Sequence, residues 1–194
     1  YLTTSGTAVA RDFVELPSQI MENWAAHPEV LKSYARHYES GEPIPDELIG
    51  KLDAAGKFNQ GFATTEYLAA SFLDMDYHTL QEAETIDVNA FEQASMDKIG
   101  LIDAIIPRYR STYFQHIFSG GYSAGYYSYI WAELLDKDAF NAFLENGLFD
   151  PSTARSFREN ILEKGGSRDE MEMYKAFRGK EPTIEPLLKG RGLD

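Results

Sequence analysis

Three observations predict an all-α fold for this 194-residue chain, with no autonomous sheet. Almost every periodic stretch repeats its apolar residues at helical spacing. Residues that start and stop helices fall at the ends of those stretches, with Asp87 and Asp150 at expected beginnings and Gly100 and Gly147 at expected ends. Hydrophobic residues make up 43% and aromatics 13%, which is enough to bury a core and too much for a disordered tail.

The elements follow in order. Residues 8–25 carry Val9, Phe13, Ile20 and Trp24 at helical spacing, interrupted by Pro17, which either starts a new helix or kinks one. Pro28, preceded by His27, suits the first helical position of a segment over 29–38. Ser40-Gly41-Glu42-Pro43-Ile44-Pro45 breaks the chain. A short helix over 46–55 closes at Gly56, and a long apolar-rich helix runs from 59 or 60 to 75. The latter's apolar residues cover more than a narrow stripe, so it is expected to be central. Asp87 caps 88–99 and Gly100 ends it, whereas 101–107 fits strand or helix equally. After the Gly120-Gly121 loop come helices from 123 or 124 to 136, over 138–146, and from the Asp150-Pro151-Ser152 cap to 164, ended by Gly165-Gly166. Ser167 then caps 169–177, and an irregular tail over 179–194 docks through Ile184, Leu187 and Leu188.

Composition removes several function classes. Lys plus Arg total 18 against 31 Asp plus Glu, a net charge of −13, so the basic surface that replaces phosphate counterions is lacking and nucleic acid is not an expected partner. No apolar run is long enough to cross a membrane, which excludes a membrane role on this reading. Cys is absent, so disulfides, thiolate metal sites and Cys nucleophiles are excluded, and any metal must use His, Asp or Glu. The chain opens at Tyr1 with no initiator Met, which reads as a piece of a longer protein.

Two segments carry candidate chemistry. On an unbroken helix Asp12, Glu15, Gln19 and Glu22 would fall near one face. That grouping suits a cation, or is simply a solvated face on an acidic protein. In His116 through Trp131, Tyr122, Tyr126 and Tyr129 form one stripe if a helix starts at Tyr122. Preceded by a Gly pair and His116, these phenols present several donors to one place, suited to an oxyanion or a peptide backbone; a core stripe with phenols reaching water is the alternative. His27 and His37 read as surface residues, and His78 as a ligand or, in preference, a satisfied loop residue. No H-E-x-x-H, phosphate loop or nucleophile elbow is present.

At these two segments the sequence resembles the thimet oligopeptidase and peptidyl-dipeptidase family of zinc peptidases, nearest its dipeptidyl carboxypeptidase branch. The resemblance rests on Ser5-Gly6-Thr7, on Asp12-Phe13-Val14-Glu15 with Pro17-Ser18-Gln19, Glu22 and Trp24, and on His116 through Trp131. Gly61-Phe62-Ala63-Thr64 and the ending from Glu185 to Leu193 also fit, while Ala8 stands where the thimet oligopeptidase branch has a His. The match covers essentially the whole chain and favours the functional reading of both segments.

The resemblance implies the C-terminal helical portion of a zincin-like catalytic domain, with residues 1–194 as one fragment lacking an upstream H-E-x-x-H. It implies a zinc peptidase that releases dipeptides from the C-termini of short peptides; internal cleavage of short peptides, or a non-catalytic peptide-binding helical module, stay open. Glu15 matches the third zinc ligand, with Asp12 and Glu22 orienting the ligands around it. Tyr129 and Tyr122 match tyrosines at the reacting carbonyl, His116 and Tyr126 match neighbouring substrate contacts, and Arg11 matches a position near the site. The Gly120-Gly121 loop would close over bound peptide. One Glu cannot form a zinc site, so the fragment alone is expected neither to hold Zn2+ tightly nor to cleave peptides. Its partners would be short peptides and the rest of its own catalytic domain. Family relatives point to the cytoplasm, with the periplasm left open.

Overall fold

A computed structural model describes residues 2–82 and 85–193; Tyr1 and Asp194, the two ends named above, lie outside the described residues, as do Ala83 and Glu84. The helices in chain order are α1 Leu16–Ala26, α2 Pro28–Tyr34, α3 Asp46–Lys57, α4 Gln60–His78 and α5 Val88–Lys98. They continue with α6 Gln115–Phe118, α7 Ser128–Asn146, α8 Pro151–Phe157, α9 Glu170–Arg178 and α10 Glu185–Gly190. Among the described residues there is no strand, only an isolated antiparallel bridge between Arg36 and Pro43. The all-α expectation holds. The chain forms two compact units, one of Tyr1–Phe58 with Ile130–Asp194 and the other of Asn59–Tyr129.

In the first unit, Pro17 begins a helix rather than kinking one. Residues 11–15 form turns, and Leu16 N–H donates to Phe13 O at 3.1 Å just before α1 starts. A proline ring inside a longer helix would clash with the carbonyl four residues back, whereas in the first turn its missing N–H costs nothing. Several boundaries differ from expectation. α2 stops at Tyr34, four residues early, because Ala35 turns extended and His37 Nδ1 accepts the N–H groups of Glu39 and Ser40 at 3.3 and 3.2 Å. α3 runs through Gly56 to Lys57, whose ammonium pairs with Asp53 one turn back at 2.8 Å. The two helices expected on either side of Lys137 are one, α7. The helix expected to reach 164 is α8 followed by a wide π turn, Arg158–Leu162. Asp169, not Ser167, caps α9 by accepting Glu172 N–H at 2.9 Å. The tail contains α10 and buries Leu187, but Ile184 stays 50% exposed and does not dock.

The core of this unit collects Phe13, Leu16 and Ile20 with Leu135, Phe140, Phe143, Phe157, Met173 and Tyr174. Trp24 packs edge-on against Phe140 and Phe143, each 4.7 Å away between ring centres, and its Nε1 donates to Leu148 O at 3.1 Å. Two carboxyl groups are buried here as well. Asp138 accepts from the Tyr174 hydroxyl at 2.7 Å and pairs with Arg178 at 3.3 Å. Asp136 accepts from Asn23 at 2.9 Å, yet burial pushes it up to about 6 against the pull of Lys137 and Asn23.

The second unit packs α4 against α5 and the segments that follow. α4 extends past residue 75 to His78, whose Nδ1 lies 2.8 Å from the buried Asp74 carboxyl one turn earlier, so His78 is a helical residue rather than a loop one. Asp87 caps α5 by accepting from Asn89 N–H and Ala90 N–H, both at 3.0 Å. Residues 101–107 are neither strand nor helix. Gly100 takes a positive φ of 67°, and the turn it allows sends Leu101 to pack against Ala69, Ala70, Leu73, Met96, Phe114 and Ile117.

Candidate functional site

The acidic segment lies in the first unit. Glu15 occupies the N-cap position of α1, and its Oε2 accepts from the Ser18 hydroxyl at 2.7 Å while its backbone oxygen accepts from the same hydroxyl at 3.0 Å. This local bond fixes a half-buried carboxyl at the start of a helix. Phe13, Leu16 and Ile20 turn into the core, so the same stretch that carries Glu15 is anchored by its apolar residues. Asp12 sits in the turns before α1 and is half-buried, and Arg11 beside it is exposed. The single-face arrangement that an unbroken helix would give is therefore absent, because Pro17 divides the segment. Glu22, one and a half turns into α1, is exposed and lines a cavity of about 670 Å³ with Asp53, Lys57 and Lys137; Glu15 does not line it.

The tyrosines lie in the second unit, and they converge by a route that spacing did not anticipate. No helix starts at Tyr122; residues 123–127 form turns, and α7 begins only at Ser128. The rings nevertheless meet. Tyr122 stacks on Tyr129 at 5.3 Å with 10° between planes, and Tyr126 stands edge-on to Tyr129 at 5.5 Å. His116 lies 5.7 Å from the Tyr122 ring and 6.3 and 6.4 Å from those of Tyr126 and Tyr129.

Two features of the backbone produce this meeting. After α6 the Gly pair folds the chain back, so that Tyr122 N–H donates to His116 O at 3.1 Å. A Cβ at Gly120 would stand 2.8 Å from that same oxygen and 2.9 Å from the His116 Cα, and Gly121 has φ of 81°. The pair is thus required by the fold of the turn, not only by looseness. The second feature is Asp74 on α4. It is 1% exposed, and its two carboxyl oxygens accept Ala124 N–H at 2.9 Å and Tyr126 N–H at 2.8 Å. These bonds hold a turn in which Ala124 adopts a φ of 52°, a cost that non-glycine residues rarely bear. The Tyr67 hydroxyl adds a bond to Tyr126 O at 2.6 Å.

Asp74, Tyr67, Arg108 and Tyr109 were missed by sequence reasoning. The signal for Asp74 was an acid inside an otherwise apolar-rich helix, where a charge is costly to bury without partners. Tyr67, Arg108, Tyr109, His116, Tyr126 and Tyr129 together line a cavity of about 330 Å³. Burial raises the Tyr126 phenol to about 12, aided by Tyr109 and Tyr67 and opposed by the charge and hydrogen bond of Arg108. The phenol therefore keeps its proton at neutral pH and can donate it in a hydrogen bond. A second buried carboxyl holds the chain just after Arg108 and Tyr109. Glu92 accepts Ser111 N–H and Oγ at 2.7 and 2.8 Å and pairs with Arg110. Burial would raise the Glu92 carboxyl, but its bonds from Ser111 and Arg110 outweigh that and hold it below its ordinary value.

For metal binding, the fit is incomplete. Among the described residues no three His, Asp or Glu side chains group as a metal site would require, so Glu15 is a single donor and the residues present do not fit a zinc site by themselves. No described helix is long and apolar enough to cross a membrane.

Comparison with known proteins places this geometry in a family. The model of peptidase family M3 matches residues 1–193. Dipeptidyl carboxypeptidase of Escherichia coli is 48% identical over 196 residues, covering 100% of this chain and 29% of the relative. Oligopeptidase A of the same organism is 40% identical over 96% of the chain, and saccharolysin of Saccharomyces cerevisiae 33% identical over 96%. The chain thus spans less than a third of the length of these relatives, whose shares are 29%, 28% and 26%. A match running through both the Glu15 segment and the tyrosine segment leaves one assignment: the chain belongs to peptidase family M3.

Proposed function

We propose that this chain is the C-terminal part of the catalytic domain of a zinc peptidase that releases dipeptides from the C-termini of short peptides. The observation that carries the reading is the convergence of His116, Tyr122, Tyr126 and Tyr129 on one ring cluster beside an open cavity, in a chain of this family. The dipeptidyl specificity is supported by the 48% identity to a dipeptidyl carboxypeptidase; the 40% identity to an oligopeptidase supports internal cleavage as a second reading.

In this reading the Tyr129 and Tyr122 hydroxyls donate to the oxygen of the reacting carbonyl, where negative charge grows during attack by water. His116 and Tyr126 contact the substrate beside the reacting carbonyl, and the proton kept by the Tyr126 phenol makes it a donor to the substrate. The turn at Gly120-Gly121 moves the Tyr122 end of the cluster over bound peptide and excludes water from it. Glu15 is the one metal ligand this chain supplies, pre-set by its Ser18 bond, with Asp12 and Glu22 orienting the surrounding donors and Arg11 touching substrate. The two further ligands and the general base come from an H-E-x-x-H outside residues 1–194. Zinc, when bound, supplies a Lewis acid.

The test is a product analysis on the longer protein that includes that upstream helix. Serial loss of dipeptides from the C-terminus of short peptides is expected; internal cuts would favour the oligopeptidase reading, and tight peptide binding without turnover the non-catalytic one. Tyr129→Phe should lower turnover by about 10²–10³-fold if the phenol meets the oxyanion, and retained turnover would remove it from the mechanism. Residues 1–194 alone should show no turnover of a quenched peptide and no sub-micromolar zinc binding by calorimetry.

A further inference from the structure

Arg108 is not among the residues that the tyrosine segment offers, yet it lines the same cavity of about 330 Å³. Its backbone N–H is tied to Glu66 O at 3.0 Å, which fixes where the side chain starts. The guanidinium hydrogen-bonds the Tyr126 phenol, and the residue is exposed. No carboxyl group among the described residues forms an ion pair with it. Arg110, two residues on, pairs with Glu92 and does not line this cavity.

The remaining lining groups are rings with polar edges: Tyr67, Tyr109, His116, Tyr126 and Tyr129. The Tyr67 hydroxyl is already spent on Tyr126 O. Because the guanidinium donates to the Tyr126 oxygen, the Tyr126 O–H is free to point elsewhere, and burial keeps it protonated. A fixed cation with spare N–H groups and a neutral phenol donor on one cavity wall match a planar anion with two acceptor oxygens.

We propose that Arg108, with the Tyr126 hydroxyl, binds the terminal α-carboxylate of a peptide, and so makes this cavity a subsite for chain ends. The identity of the anion rests on the peptide-cleaving reading above; the existence of a carboxylate site does not. A free C-terminus would then be held through charge-assisted bonds that an internal peptide bond cannot make, which is a physical basis for removing dipeptides from an end rather than cutting within a chain.

The experiment uses the longer protein and measures binding of three probes by calorimetry: a dipeptide with a free C-terminus, the same dipeptide as its C-terminal amide, and an amidated dipeptide ending in a glutamyl residue. The free acid should bind about ten- to a hundredfold more tightly than its amide, the range for hydrogen bonds to a charged group. Arg108→Gln should erase that preference by weakening acid binding far more than amide binding, while Arg108→Lys should keep part of it, since the charge stays and the paired geometry goes. A preference that survives Arg108→Gln overturns the proposal, as does an equal loss for acid and amide. Arg108-dependent binding of the glutamyl amide would assign the site to acidic side chains and overturn the chain-end assignment. Cleavage of peptides with unchanged acid preference in Arg108→Gln would sink this inference and leave the peptidase reading standing; an Arg108-dependent acid preference without cleavage would do the reverse.

Discussion

Around Glu15 the group that holds the proposed functional side chain is three residues away, Ser18; around Tyr126 the anchor is 52 residues away, Asp74. The first region is a helix start whose geometry follows from Pro17, the capping position and a run of apolar residues facing the core. The second is a set of turns that has no regular backbone pattern of its own and is shaped by a buried carboxyl gripping two amide N–H groups. The lesson is that a site built on a helix end is robust to loss of any one distant contact, whereas a site built on turns depends on its anchor.

The sharpest way to break this contrast is Asp74→Ala. It strands the N–H groups of Ala124 and Tyr126 in a buried place and should cost about 3–5 kcal/mol in urea unfolding, with loss of the near-ultraviolet dichroism of the tyrosine cluster. A cost below about 1 kcal/mol would mean that the turn holds itself, since that is the scale of a single ordinary hydrogen bond.

A smaller effect is expected at a buried acid of the other unit, one that anchors no loop. Folded Asp136 keeps its proton up to about 6, against an ordinary value of 3.8. Between those values the folded state binds more protons than the unfolded one, so this residue's contribution to stability is full at low pH and is lost as pH rises through about 6. Asp136→Asn should therefore be more stable relative to wild type at pH 7 than at pH 4, by about 1–3 kcal/mol. A difference that does not vary with pH would show that Asp136 is not perturbed by burial.

The smallest effect should be Glu15→Gln. The amide still accepts from Ser18, so thermal stability should change by no more than about 0.5 kcal/mol, as for most exposed or half-exposed substitutions. A loss comparable with that of Asp74→Ala would mean that Glu15 supports the fold and that the two regions do not differ in kind.

How much was legible in the sequence follows the same division. Caps and periods are local, so Asp87 and Asp150 were read correctly as helix starts; the wide apolar coverage of α4 suggested a central helix, whereas it buries Ala69, Ala70 and Leu73 and leaves Phe62, Phe72 and Met75 exposed. Boundaries failed where a nonlocal or side-chain contact decided them: His37 turning the chain after α2, Asp74 with His78 carrying α4 one turn further, and Asp169 outcompeting Ser167. The tyrosines were correctly grouped for a reason that did not apply. Their spacing suggested a helical stripe, but they meet through a glycine turn and a strained Ala124, neither of which leaves a periodic trace. Arg108 and Asp74 carried no motif at all, since their meaning comes only from what the fold brings beside them.

Glu15, the proposed metal ligand, is a side chain that the fold should not need. The direct measurement is zinc content of the longer protein, by atomic absorption, in wild type, Glu15→Gln and Tyr129→Phe, with helical dichroism recorded alongside. Glu15→Gln should lose bound zinc with its helical signal unchanged, and Tyr129→Phe should keep zinc. Full zinc occupancy in Glu15→Gln would contradict the ligand role.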